Sequence, residues 1–136
     1  MKAYTDIEQS KKLADILPLE SADQTWMRVA IVGTNLNVPE ELQYMHNGDI
    51  PFQYYKSIGI PCWSLAELLE QLKDRIICDD GRDYILSIYK EMSKYKISYH
   101  DSASGGWRND IETDYYDNLI DACYEMILKL HEQKLL

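Results

Sequence analysis

The sequence predicts an α+β fold: an antiparallel sheet of three to four strands, packed on one face by about three helices. Two observations lead to this class. Apolar residues recur at helical spacing near the start, the middle and the end of the chain, and residues 84–99 alternate as in an antiparallel hairpin. At 136 residues the chain has the usual length of one domain, so a single domain spanning 1–136 is expected.

The first helix is predicted over residues 6–16. Thr5 and Glu8 fit a capping box, in which each side chain bonds a free backbone N–H of the first turn. An apolar stripe that includes Leu17 follows, and Pro18 stops the helix because proline cannot continue its hydrogen bonds.

A strand is predicted over residues 26–32, which are rich in β-branched and aromatic side chains. From 33 to 59, turn formers such as Asn47 and Pro51 interrupt every periodicity. An irregular segment of this length is uncommon in a compact domain and is often functional.

The second helix is predicted over residues 65–74. Ser64 and Glu67 form a capping box, and Trp63 and Leu68 suit a hydrophobic staple around it. The apolar stripe of this helix consists of Leu65, Leu68, Leu69, Leu72 and Ile76.

Two further strands are predicted at 84–89 and 95–99, with an edge strand at 107–111. Alternation divides the second of them into two faces, with Tyr95, Ile97 and Tyr99 on one and Lys94, Lys96, Ser98 and His100 on the other. The last helix is predicted to begin between Asp114 and Asp117. Its core stripe is Leu119, Cys123, Met126, Ile127 and Leu130.

Composition argues against several classes of function. Fourteen basic and 23 acidic residues give a net charge of -9, which disfavours binding to nucleic acid or to an anionic membrane surface. Lysines interleaved with tyrosines at 89–99 also occur on nucleic-acid platforms, but they equally protect a sheet edge. The polar N-terminus lacks the apolar centre of a signal peptide, and the sequence has no membrane-spanning run, so a cytoplasmic protein is expected.

No motif in the sequence specifies an enzyme, a metal site or a cofactor. Cys62 lies close to a predicted helix N-terminus, which favours a thiolate, but no histidine is placed beside it and packing is the simpler interpretation. His100 and Asp101 end a strand before a glycine-rich loop, where catalytic residues can occur. Residues 79–83 lack the spacing of a calcium loop and are interpreted as a turn. We assign no catalytic residue, no metal and no cofactor.

Three stretches of the chain resemble one family. They are residues 5–23, 60–65 and 117–127, which begin Thr5-Asp6-Ile7-Glu8, Ile60-Pro61-Cys62-Trp63 and Asp117-Asn118-Leu119-Ile120. They resemble a family of small hypothetical proteins common in prophages and mobile elements of gut Bacteroidales. The resemblance implies an accessory protein of a mobile element in a bacterial cytoplasm, and it carries no ligand or catalytic residue to this chain.

These observations favour a non-enzymatic accessory protein that acts by binding another protein. The alternative is a small-molecule binder or minor enzyme that uses a loop-lined pocket on the sheet. The chain has 11 tyrosines, and Tyr and Trp are over-represented among interface anchors. The predicted binding residues are Tyr54, Tyr55, Tyr99 and Trp107. The acidic run 110–121 is expected to border this surface and to speed encounter with a basic partner.

Overall fold

The computed structural model of the protein describes residues 2–27, 41–43 and 60–136. The chain divides into two compact units, which are described separately. The amino-terminal unit is Tyr4–Glu67, and the carboxy-terminal unit consists of Leu68–Leu136 together with Met1–Ala3. Both units combine helix with antiparallel sheet, so the predicted α+β class is confirmed.

The amino-terminal unit packs a helix against a small sheet. Helix α1 spans Ile7–Ala14, and a 3-10 turn at Leu19–Ser21 follows it. The antiparallel strands lie in the order β2-β1-β3, where β1 is Gln24–Met27, β2 is Glu41–Gln43 and β3 is Ile60–Cys62. Helix α1 packs against β3. The later part of the predicted strand 26–32 lies outside the described residues.

The start of α1 differs from the prediction by one residue. Asp6, not Thr5, is the N-cap: its carboxylate accepts from the Gln9 N–H at 2.8 Å, and the Gln9 side chain accepts from the Asp6 N–H at 3.2 Å. Thr5 is fully buried, and its hydroxyl shares a hydrogen bond of 2.7 Å with Ser10 Oγ. The Thr5 N–H donates to the Trp63 carbonyl at 3.0 Å, which holds this residue outside the helix.

The predicted cap of the second helix is confirmed. Helix α2 spans Leu65–Gln71, and Ser64 Oγ accepts from the Glu67 N–H at 3.3 Å. The Ser64 N–H itself donates to the Asp23 carboxylate at 2.8 Å. The helix ends earlier than the predicted residue 74, because the chain soon enters a strand at Arg75–Ile77.

The carboxy-terminal unit contains an antiparallel sheet of four strands in chain order, β4-β5-β6-β7. These are β4 (Arg75–Ile77), β5 (Asp83–Glu91), β6 (Lys94–Asp101) and β7 (Trp107–Glu112). Helix α3, Leu119–Glu132, packs against β6 and β7. The predicted hairpin and edge strand are therefore confirmed. Strand β4 was not predicted, and Ile76, assigned to the helix stripe by its spacing, is buried in this strand opposite Tyr84.

One face of this sheet forms a core with α3. The fully buried residues are Ile97 and Tyr99 of β6, Ile111 of β7, and Cys123, Met126 and Ile127 of α3. Leu68 and Leu72 of the predicted helix stripe are buried as well. The stripe of the last helix is confirmed except at Leu119, which is only half-buried.

Helix α3 begins later than predicted, with Asn118 as its N-cap. The Asn118 side chain accepts from the Asp121 N–H at 2.9 Å. Just before it, Tyr116 exchanges backbone hydrogen bonds of 2.7 and 2.8 Å with Tyr95. These bonds hold the chain extended as far as Tyr116, so the carboxylates of Asp114 and Asp117 precede the helix instead of starting it.

The turn between β5 and β6 provides a stability prediction. Its two residues, Met92 and Ser93, have φ angles of 49° and 62°, a left-handed conformation that glycine adopts without strain. We expect Ser93→Gly to raise the free energy of unfolding by about 0.5–1 kcal/mol, because relief of left-handed strain exceeds the entropy lost by glycine. Urea denaturation followed by circular dichroism measures this change.

Ser102→Gly is the matched control for the turn. Ser102 is exposed and is not among the residues with positive φ, so glycine relieves no strain there and adds only chain entropy to the unfolded state. We expect this control to be neutral or slightly destabilising. A Ser93→Gly variant no more stable than Ser102→Gly would contradict the proposed strain.

Candidate functional site

The candidate site lies on the face of the four-stranded sheet opposite to α3, named here the open face. Side chains alternate along a strand, so the neighbours of the buried Ile97 and Tyr99 point to this face. The strand register places His100 beside Ile85 on one side and Trp107 on the other. Large exposed side chains on or beside this face are Ile77, Ile85, Tyr89, Trp107 and Tyr115. A cluster of this kind is typical of a binding surface.

A groove of about 210 Å³ lies on the open face and is named here the aromatic groove. It is lined by Tyr89 from β5, by Lys96, Ser98 and His100 from β6, and by Trp107 and Glu112 from β7. Tyr115, which follows β7, also lines it. Pockets for drug-sized molecules measure about 300–1,000 Å³, so this groove is the size of one large side chain.

Three rings in edge-to-face contact form one wall of the aromatic groove. The hydroxyl of Tyr89 is hydrogen-bonded to His100 Nε2, and the two rings meet edge to face with centroids 5.6 Å apart. His100 in turn meets Trp107 edge to face at 6.1 Å. Such T-shaped pairs are favourable and hold each ring in place. Trp107 is nevertheless 63% exposed, so its ring is ordered by a neighbour and still available to a partner.

The charged groups of the groove are paired with one another. Lys96 Nζ forms an ion pair with the Glu112 carboxylate and lies 5.5 Å from the centroid of the Tyr115 ring. The Tyr115 hydroxyl donates to a Glu91 carboxylate oxygen at 3.0 Å, and this bond raises the pKa of the hydroxyl above its usual value. The groove therefore offers little uncompensated charge to a ligand.

Ser98 is a buried polar residue of the groove whose hydroxyl has no hydrogen-bond partner in the described part of the chain. The residue is 1% exposed, and its Oγ has no hydrogen-bond partner among the residues that the structure describes. Buried hydroxyls are nearly always paired, because an unpaired one has lost its water without replacement. Ser98 stands in the central part of the open face, opposite Ser87 on β5 and Glu112 on β7.

Of the four predicted binding residues, the structure describes Trp107 and Tyr99, and it places them in different environments. Trp107 lines the aromatic groove, as a surface residue should. Tyr99 is fully buried, and its hydroxyl donates to the Lys73 carbonyl at 2.6 Å. This corrects the expectation that Tyr99 contacts a partner: it lies on the α3 side of β6, and burial raises its pKa. Tyr54 and Tyr55 lie outside the described residues, so their role stays a prediction.

The predicted binding surface included the strand-end region from Tyr99 to Trp107, and with it His100, but not Tyr89 or Tyr115. Part of the open face could be predicted, since the alternation along the strand already placed Lys96, Ser98 and His100 on the face opposite to Tyr99. What was missing is the register between strands, which brings Tyr89 opposite Lys96 and Trp107 opposite His100. Tyr89 and Trp107, which are 18 positions apart in the chain, therefore line the same small groove.

The cysteine thiols are packed groups. Cys62, Cys78 and Cys123 are all buried and unpaired. Burial, followed by the nearby charge of Asp23, raises the pKa of Cys62 to about 12, and burial raises that of Cys123 to about 12 as well. A thiol with such a pKa is protonated at neutral pH and is a poor nucleophile. The packing interpretation of Cys62 is supported.

His100 and Asp101 do not form a catalytic pair. As neighbours on β6 they point to opposite faces of the sheet. The Asp101 carboxylate accepts from the Ala103 N–H at 3.0 Å and from Ser104 Oγ at 2.9 Å, and these bonds lower its pKa below the usual value. Asp101 therefore holds the turn that leads to β7, and His100 belongs to the aromatic wall.

Two larger cavities of the carboxy-terminal unit have polar walls. One, of about 420 Å³, is lined largely by charged and tyrosine side chains, including Lys96, Glu112, Glu125 and Lys129. The other, of about 430 Å³, surrounds Arg108. The Arg108 guanidinium is already bound to Asp79 at 2.8 Å and to Asp110 at 2.5 Å. Neither cavity has the apolar lining that small-molecule sites usually show.

Four of the five carboxylates in the acidic run 110–121 form ion pairs with neighbouring cations. Its ion pairs are Asp110 with Arg108, Glu112 with Lys96, Asp117 with Lys94, and Asp121 with Lys2. These contacts leave less free negative charge than the sequence suggests. Its expected part in steering a basic partner stays a prediction.

Within residues 2–27, 41–43 and 60–136, no cluster of three or more His, Cys, Asp or Glu side chains could hold a metal ion. None of the helices in that part of the chain is both long and apolar enough to cross a membrane. Comparison with protein-family models, with curated proteins and with solved structures finds no match to this chain.

Proposed function

We propose that this protein acts by binding another protein through the open face of its four-stranded sheet, with Trp107 as the main anchor. One observation carries the proposal: several large apolar and aromatic side chains are exposed on or beside one face of the four-stranded sheet. Interface energy is concentrated in a few aromatic residues of this kind, held in place by their neighbours. The resemblance to mobile-element proteins suggests an accessory role for such binding.

The surface is suited to a protein more than to a small molecule. An exposed sheet face with a groove of about 210 Å³ can accept a side chain of a partner while the surrounding residues contact the rest of its surface. The alternative, a small-molecule site, requires an enclosed and mainly apolar pocket, and the larger cavities of this unit have charged linings.

The experiment that tests this function compares two isoleucines of β5. Ile85 lies on the open face and is 40% exposed, whereas Ile88 pairs with Ile97 on the other face and is 44% exposed. A photo-reactive phenylalanine analogue is introduced at one position or the other, and the intact chain is irradiated in bacterial cells. We expect a discrete cross-linked protein from position 85, identified by mass spectrometry, and no such product from position 88.

Trp107→Ala is expected to reduce the cross-linking yield at position 85 by at least about tenfold, as for an interface anchor. Because Trp107 is 63% exposed, the variant should keep the circular dichroism spectrum and melting temperature of the parent. Tyr54→Ala and Tyr55→Ala examine the rest of the predicted surface in the same assay.

Three results would contradict the proposal. One is equal cross-linking from positions 85 and 88, and another is a product at 85 that survives Trp107→Ala. The third is a product that contains only two copies of this chain, which would make the open face a site of self-association and not of binding to a different protein.

A further inference from the structure

The aromatic groove has room for one side chain. Its volume of about 210 Å³ is below the usual range for a drug-sized ligand of about 300–1,000 Å³. Its walls carry the rings of Tyr89, Trp107 and Tyr115, so the favoured occupant is flat and apolar along its sides.

Ser98 indicates a polar group on that occupant. Its hydroxyl lacks a partner within the described part of the chain, and the residue is 1% exposed where it lines the groove. An apolar occupant would leave this hydroxyl unpaired and seal it further from water, which is unfavourable. An occupant that brings a hydroxyl or N–H to Ser98 gains a hydrogen bond in a site that is already desolvated.

The charges in the groove disfavour an ionic occupant. Glu112 is paired with Lys96, and the Lys96 ammonium already lies 5.5 Å from the Tyr115 ring, the position a foreign cation would take. An anion would face Glu112, and a cation would face Lys96. An uncharged aromatic group with a polar tip fits the volume of the groove, its aromatic walls, the unpaired Ser98 hydroxyl and the paired charges.

We propose that the aromatic groove receives a tyrosine side chain of the partner protein, with its ring against Trp107 and its phenol hydroxyl hydrogen-bonded to Ser98 Oγ. This inference rests on the proposed function, since it assumes that the open face binds a protein. The tyrosine hydroxyl both donates and accepts, so it can pair with a serine in either orientation.

The test uses amino-acid amides as probes of the groove. N-acetyl-tyrosinamide, N-acetyl-phenylalaninamide, N-acetyl-tryptophanamide and N-acetyl-argininamide are titrated into the full-length protein. The backbone amide of Ser98 and the indole N–H of Trp107 are followed by NMR. We expect the tyrosine probe to saturate at about millimolar concentration, in keeping with the size of a fragment, and to bind about three- to tenfold more tightly than the phenylalanine probe.

Ser98→Ala should abolish the preference for tyrosine over phenylalanine and leave phenylalanine binding unchanged or tighter. Ser87→Ala is the matched control, because Ser87 lies directly opposite Ser98 on the same face but does not line the groove. It should keep the preference. Removing an unpaired hydroxyl should not lower the melting temperature, so Ser98→Ala is expected to fold normally.

Several results would overturn the inference. These are tighter binding of the arginine or tryptophan probe, a tyrosine preference that persists in Ser98→Ala, or no saturable shift with any probe. The photo-cross-linking experiment is independent of these titrations. A Trp107-dependent cross-link without tyrosine binding would support the proposed function and contradict only the tyrosine inference. Tyrosine binding without a Trp107-dependent cross-link would contradict the proposal of a protein partner.

Discussion

Replacing Ile127 by alanine is expected to lower the free energy of unfolding by about 2–5 kcal/mol, the range for truncating a buried aliphatic side chain. Ile127 is fully buried in α3, the helix that packs against β6 and β7. The loss combines the apolar surface no longer removed from water with the cavity that the rigid sheet cannot close. Urea denaturation followed by far-ultraviolet circular dichroism measures it.

Ile77→Ala is the matched control for this prediction. The same side chain is removed, but Ile77 is 69% exposed on β4, so little buried surface is lost and no cavity forms. We expect a change within about 0.5 kcal/mol, as at most exposed positions. A loss below about 1 kcal/mol for Ile127→Ala would be hard to reconcile with a core between α3 and the sheet.

Trp63→Ala is expected to cost about 3–5 kcal/mol in the amino-terminal unit. Trp63 is fully buried there, and its indole N–H donates to Ser21 Oγ at 2.8 Å. Its backbone N–H also donates to Thr5 Oγ1 at 3.2 Å, so the side chain anchors a segment whose backbone is tied to the start of α1. Truncation removes the largest fully buried side chain among the described residues of this unit and leaves the Ser21 hydroxyl without its donor.

Trp107→Ala serves as the control, since it is the same substitution at an exposed tryptophan. It should change the free energy of unfolding by less than about 1 kcal/mol while it removes binding. Comparable losses at the two tryptophans would show that Trp63 is not a core residue.

Together the two core variants test the prediction of a single domain. Ile127 and Trp63 lie in different compact units. If residues 1–136 unfold as one domain, both substitutions should shift the same cooperative transition, whether it is followed by circular dichroism or by tryptophan fluorescence. Two transitions, each displaced by only one of the substitutions, would mean that the units unfold independently.

Helix and strand positions could be predicted from local patterns wherever the hydrogen-bond partners and packing neighbours of a residue lie a few positions away in the chain. The cap at Ser64 was correctly predicted because a serine followed by a glutamate meets the needs of a helix start within one turn. The hairpin was predicted because alternation continues through both strands. At α1 two candidate caps stood side by side, and the bond from Thr5 to the Trp63 carbonyl decided between them.

Less of the candidate site could be predicted from the sequence, and Tyr99 and Trp107 show why. Both are aromatic residues in or next to strands, and local pattern assigned both to a binding surface. Only the packing of α3 against one side of β6 buries Tyr99 and leaves the opposite side exposed. The sequence shows which side chains of a strand share a face, because they alternate. It does not show which of the two faces packs against the helix.

By itself, the sequence determined the α+β class, the helical stripes and the hairpin, because each depends on neighbours a few residues away. The tertiary structure decided that Ile76 belongs to a strand, that Tyr99 is core, and that Tyr89, Ser98 and Trp107 meet in one groove. Those outcomes depend on register and on the choice of buried face. Both are set by contacts between residues far apart in the chain, which no local periodicity encodes.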